Sequence, residues 1–224
     1  MSQLVFNAAS EKRYTTGVDN VVLYPRDATG VYPVGVAWPG VTSVKEAPAG
    51  DEPSDLYALN TKYMTLISTP TFGGTIEAYT YPSEFAACDG SDSSLLQTGG
   101  MVVDQQARQV FGLSYRIKVG SELGGPDAAE EIHVIYGCLA KPSERPRNTV
   151  GETPEATLMS WEFTTTPVPV QGLKPTSHLY FQSEVLDKAD WAKIEKMLWG
   201  AEGQGEDPYL PTPDEWVTLL DDRN

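Results

Sequence analysis

Histidine and cysteine are scarce in this chain, two of each among 224 residues. Scarcity of histidine excludes a His-rich metal centre. Cys88, Cys138, His133 and His178 also share no close ligand spacing, so a four-ligand zinc site is not expected. The thiols are expected to be reduced and structural, with a bridge between them left open. Basic residues are few: 16 Lys and Arg stand against 31 Asp and Glu, a net charge of −15. A conventional nucleic-acid binder displaces counterions with clustered Lys and Arg, so that class is disfavoured, and acidic charge of this kind ordinarily serves solubility. No GxGxxG follows a strand, and neither GxxxxGK[ST] nor GxSxG occurs, so the phosphate cradles and the hydrolase elbow are missing. No apolar run approaches the roughly 20 residues that cross a bilayer. The N-terminal MSQLVFNAASEKRY carries no run of signal-peptide length, so neither a membrane span nor secretion by that route is expected.

What the chain has is period-two patterning. Leu113, Tyr115, Ile117 and Val119 alternate with Ser114, Arg116 and Lys118. Ile132, Val134, Tyr136 and Cys138 fall on one face of 132–138, and Met159, Trp161 and Phe163 alternate with Ser160 and Glu162. Further strands are expected at 18–24, 34–46, 57–67, 73–81 and 177–183, both histidines lying inside strands. Such alternation describes half-buried antiparallel strands, one face on a core and the other toward solvent or a partner. Pro and Gly clusters at 25–27, 47–53, 99–100, 124–126 and 142–146 punctuate them, and no fixed-period repeat or low-complexity tract is present. One helix is expected over DKADWAKIEKMLWG. Asp187 caps it, Gly200 supplies a left-handed residue after its end, and Trp191, Ile194 and Leu198 form the stripe laid on a sheet. Thr212-Pro213-Asp214-Glu215 reads as a capping box opening a short helix with Trp216, Leu219 and Leu220 as its apolar contacts. The chain therefore divides into a β domain with its helix, 1–200, and a C-terminal arm, 201–224. The arm docks on its own subunit or, in the sharper alternative, on a neighbour.

Catalytic readings are weak. Glu77 with Glu162 is the carboxylate pair that a glycosidase reading would use, but that chemistry requires a fixed separation which sequence does not show. No enzyme activity and no cofactor are expected. Tyr79 with Tyr81, and Tyr57 with Tyr63, share strand faces and would be the stacking platforms of a carbohydrate-binding module.

A series of segments in fixed order carries a likeness. GVDNVVLYP at 17–25, GVAWPGVTSV at 35–44, DLYALNTKYMTLIS at 55–68 and GGTIEAYTYPSEFAACDG at 73–90 open it. ARQVFGLSYRIKVG at 107–120, HVIYGCLAKPSERP at 133–146, SWEFTTTPV at 160–168 and YLPTPDEWVTLL at 209–220 continue it. Together they resemble the major tail tube proteins of long-tailed, non-contractile bacteriophages. The resemblance implies a mainly β fold, two packed antiparallel sheets in a sandwich or partly open barrel, with a flanking helix and the C-terminal arm. It implies a structural virion protein, made in the host bacterial cytoplasm, that polymerises as stacked hexameric rings into the tail tube. The implied partners are copies of itself, the tape-measure protein, tail chaperones, the tail terminator and the baseplate or distal tail protein. Viral DNA would pass through the lumen without specific binding, and no membrane is involved. The hairpin between the second and third strands, roughly 43–60 with Lys45, Glu46, Asp51, Glu52, Asp55 and Tyr57, would contact the adjacent ring. An acidic lumen wall would repel phosphates, though only charges within a Debye length of about 8 Å of the duplex contribute. The alternative is a soluble β-sandwich decoration or carbohydrate-binding module.

Overall fold

The alternating segments become strands wherever one face reaches an apolar layer. The structure, a computed structural model, describes residues 12–50, 53–66, 70–95, 100–147, 149, 156–201 and 207–220. In chain order they form β1 (Arg13–Pro25), β2 (Val36–Ala37), β3 (Val41–Glu46), β4 (Ser54–Ala58), β5 (Thr61–Leu66), β6 (Gly73–Ala78) and α1 (Phe85–Asp89). Then come β7 (Phe111–Ser121), β8 (Gly125–Ala140), β9 (Met159–Thr165), β10 (His178–Gln182), α2 (Lys188–Trp199) and α3 (Pro213–Leu220). The protein is mainly β and antiparallel. One large sheet runs β2-β1-β7-β8-β9-β6-β3, with β10 added on β8, and β4 and β5 form a separate two-stranded ribbon.

β8 is the trunk of the large sheet. One of its sides pairs with β7 along most of its length. The other takes β10 at Glu131–Ile135 and then β9 at Cys138–Ala140. The change of partner falls at Gly137, whose φ is +62°. The register with β7 slips at the same place, Phe111 facing Cys138 while Leu113 faces Ile135. This bulge corrects the expected face of 132–138: Ile132, Val134 and Tyr136 enter one core, and Cys138 joins Ile135 in the other. A Cβ at Gly137 would stand 2.3 Å from the Thr166 carbonyl oxygen, so both the backbone angle and the space require glycine.

The first core lies inside a curled sheet. Leu23, Phe111, Leu113 and Ile135 of β1, β7 and β8 face Trp161, Phe163 and Ile76 of β9 and β6, with Phe85 of α1 between them. Aromatic edges organise it, Phe85 to Trp161 at 5.3 Å and Trp38 to Trp161 at 5.7 Å between centroids. The two packed layers are thus one hydrogen-bonded sheet folded over itself.

The second core covers the opposite face of β1, β7 and β8. Ser114, expected to face outward, is buried, 3.0 Å from the Tyr24 hydroxyl, which donates to the Leu198 carbonyl at 2.8 Å. Arg116 lies between Asp19 at 2.7 Å and Glu130 at 3.1 Å, its guanidinium 5.4 Å from the Trp199 ring. Above them α2 begins as expected: the Asp187 carboxylate accepts from the backbone of Ala189 and Asp190 at 3.1 and 2.9 Å. Ile194 and Leu198 are buried and Trp191 packs at the margin. Gly200 has the expected positive φ, +79°, but with ψ 177°, so the chain leaves α2 extended instead of curling into a left-handed cap.

The C-terminal arm docks on its own subunit. Its backbone is tied by Gly35 N–H to Pro208 O at 2.6 Å, Tyr209 N–H to Met197 O at 2.9 Å and Leu210 N–H to Tyr32 O at 3.2 Å. Thr212 and Glu215 form the capping box at 2.7 and 3.4 Å. Trp216 is buried and donates its indole N–H to the Tyr136 hydroxyl at 3.0 Å, which in turn donates to Pro211 O at 2.8 Å. Leu219 and Leu220 are half-buried, Leu220 against this second core.

Gly137→Ala is expected to cost about 3 kcal/mol or more in urea unfolding, from a left-handed non-glycine plus a backbone clash. Trp216→Ala is expected to cost about 3–5 kcal/mol by the same measurement; a change under about 1 kcal/mol would show the arm to be peripheral to the fold.

Candidate functional site

Between β3 and β6 the chain leaves the body of the protein. Ala49 and Thr71 still exchange backbone hydrogen bonds at 2.8 and 2.6 Å, and among the described residues β4 and β5 then pair only with each other. The ribbon turns at Leu59 and Asn60, with φ of +52° and +62°, a two-residue turn of the kind that matches strand twist. The sequence expectation of one strand over 57–67 is corrected by this turn. The segment 43–60 accordingly covers the end of β3, the outgoing strand β4 and the tip, and the return to Leu66 belongs to the same projection.

Nearly every described residue of 53–66 is exposed, yet the ribbon carries Leu56, Tyr57, Leu59, Tyr63, Met64 and Leu66. Tyr57 and Tyr63 are 70% and 72% exposed and Leu59 97%. Leu59 is doubly unfavourable as a solvated residue, an apolar side chain in water and a left-handed backbone that glycine or asparagine would hold more easily.

The expected contact residues separate in the structure. Asp55 pairs with Lys62 at 2.7 Å and accepts from the Thr65 hydroxyl at 2.7 Å, which braces the ribbon. Lys45 pairs with Glu77 at 2.7 Å. Asp51 and Glu52 lie outside the described residues. Glu46, at the root of the ribbon, turns back over the body.

There it meets both histidines. Tyr115 of β7, His133 of β8 and Tyr180 of β10 stand opposite one another in register, and His178 sits two residues before Tyr180. His133 Nδ1 is 3.0 Å from His178 Nε2 and 3.0 Å from Glu46 Oε1, and His178 Nε2 is 3.5 Å from that same oxygen. The Tyr115 hydroxyl donates to Glu46 Oε1 as well. Hydrogen bonding from His133 and Tyr115 outweighs desolvation and holds the Glu46 carboxyl down to about 2. Burial lowers the His178 pKa and raises that of Tyr115, keeping both neutral near pH 7. His133 Nε2 is buried and 3.6 Å from Glu131 Oε2, too far for a hydrogen bond. Sequence spacing left these histidines as separate strand residues; the adjacency of β8 and β10 brings them together.

The carboxylate pair of the glycosidase reading is otherwise engaged. Glu77 is bound by Lys45 and by the Ser43 hydroxyl at 2.6 Å, and these bonds lower its pKa, whereas a general acid needs a raised one. Glu162 pairs with Lys141 at 2.5 Å. The proposed tyrosine platform also divides, since Tyr79 is exposed while Tyr81 packs edge-on against Phe85 and Trp161 at 6.1 and 5.6 Å. Cys88 and Cys138 are both free and buried in the first core. Neither models of known protein families nor curated proteins match this chain.

Burial pushes the Cys88 thiol up to about 12 and raises Cys138 well above its ordinary value. The native protein should therefore leave both thiols unreacted with Ellman's reagent over minutes and release two per chain in guanidinium. Rapid reaction of the native protein would contradict this packing.

Proposed function

We propose that this chain is a self-assembling structural subunit, the major tail tube protein of a long-tailed, non-contractile bacteriophage. The observation that carries the reading is the β4–β5 ribbon, an ordered projection whose apolar side chains have no partner on the described body. A two-stranded ribbon alone in water is marginal at best, so a second surface is needed to hold it. In the tube that surface is the adjacent ring. Six subunits close side by side and rings stack around a tape-measure protein, with tail chaperones, the terminator and the distal tail protein acting before and at the ends.

Two further features support it. Among the described residues β3 and β10 pair on one side only, leaving edges that can join another subunit. Head-to-tail contacts whose rotation closes give rings, and closure removes the edges. The net charge of −15 suits a conduit that passes DNA without holding it. The subunit would be made in the bacterial cytoplasm and reside in the virion tail.

The test is negative-stain microscopy and sedimentation of purified protein across concentrations, with Tyr57→Ser, Leu59→Ser and Tyr63→Ser combined as the variant. Tubes from the wild-type chain, and native circular dichroism without tubes from the variant, are expected. Wild-type chains that stay single even with chaperone and tape-measure partners would overturn the proposal.

A further inference from the structure

We propose that Glu46, His133 and His178 bind a divalent transition cation, zinc above all, at the root of the ribbon. The three neighbouring atoms, His133 Nδ1, His178 Nε2 and Glu46 Oε1, form a triangle with sides of 3.0, 3.0 and 3.5 Å. The point equidistant from them lies about 1.85 Å from each. A cation displaced about 0.9 Å out of their plane therefore sits roughly 2.0–2.1 Å from all three, the bond lengths of zinc to imidazole nitrogen and carboxylate oxygen. Two nitrogens and one oxygen favour zinc and its first-row neighbours over magnesium or calcium, which take oxygen donors.

The surroundings match what a bound cation needs. Without one, the two facing nitrogens and the carboxylate oxygen share whichever ring proton lies between them. A cation on all three replaces that shared bond. With Nδ1 coordinated, the neutral His133 ring carries its proton on Nε2, the buried nitrogen that otherwise has no partner, and a small ring rotation brings it to Glu131 Oε2, now 3.6 Å away. Glu46 is oriented by the Tyr115 hydroxyl. The imidazole rings are held by near-parallel neighbours: Tyr115 lies 5.1 Å from His133 and Phe72 5.0 Å from His178. The ligand side chains are 11%, 18% and 30% exposed for His133, His178 and Glu46, so an ion can enter and a water can fill the fourth position.

The donors come from β8, β10 and β3, three strands far apart in sequence, so the cation fastens the ribbon root to the trunk and to the edge strand. This inference is independent of the tube reading, because the site lies within one chain. It is tested on EDTA-treated protein by calorimetric titration with zinc chloride, with excess magnesium to suppress diffuse binding to the acidic surface, and by the visible spectrum with cobalt. One zinc per chain, a tetrahedral cobalt spectrum, and a melting temperature raised by roughly 5–10 °C at zinc a hundredfold above Kd are expected. Glu46→Gln and His178→Gln should abolish saturable binding and the cobalt spectrum. Glu131→Gln should weaken binding about 10-fold or more, and Lys45→Gln, a neighbour on the same strand, should leave it unchanged. Absence of saturable zinc binding by the wild-type chain would overturn the site, as would binding that survives both ligand substitutions in variants of native circular dichroism.

Discussion

One break in alternation organises this molecule. At Gly137 the trunk strand β8 takes a left-handed residue, slips its register against β7 and exchanges β10 for β9 as its partner. Tyr136 and Cys138, two residues apart, then serve opposite cores. The β9-β6-β3 layer can curl over one face only because the sheet divides there. The helix α2 and the C-terminal arm can cover the other face because Tyr136 still points toward it. A side chain at position 137 would collide with the Thr166 carbonyl and reunite the faces that the fold keeps separate.

The ribbon is inserted between β3 and β6, the last two strands of the curled layer. Its root is fixed where Glu46 folds back onto β7, β8 and β10, while its tip carries Leu59, Tyr57 and Tyr63 into solvent. Burying a Leu or Met side chain is worth about 1.5–3 kcal/mol, so a surface that covered even part of the ribbon would gain substantially. The braced root and the exposed apolar tip are the two features on which the proposed completion by another molecule rests. The polar cluster at the root bears on the same element from inside the chain, since whatever bridges Glu46 and the two histidines sets how firmly the projection is held.

Much of this architecture was legible in the sequence. Alternation in 159–163, the Asp187 cap and the Thr212–Glu215 capping box all appear where their residue types put them, because each depends on neighbours within a few positions, whereas in 113–119 the polar Ser114 is covered by the second core. Three features were not. The bulge in 132–138 hides behind an alternation that sequence alone carries through Cys138, and its one signal is a glycine inside a strand. The turn at Leu59–Asn60 lacks the Asn-Gly pair that marks such hairpins, so it reads as continuous strand. The meeting of Glu46, His133 and His178 depends on which strands lie side by side, a property of topology that no spacing along the chain encodes.

Completion of the ribbon by a neighbouring copy is the central claim, and hydrogen–deuterium exchange addresses it directly. In dilute solution the amides of 54–66 should exchange within seconds while those of β7 and β8 stay protected. At concentrations where the chain associates, the ribbon amides should slow by orders of magnitude and the β7 and β8 amides should be unchanged. Ribbon amides already protected in the isolated chain, or still fast in the associated form, would contradict the account.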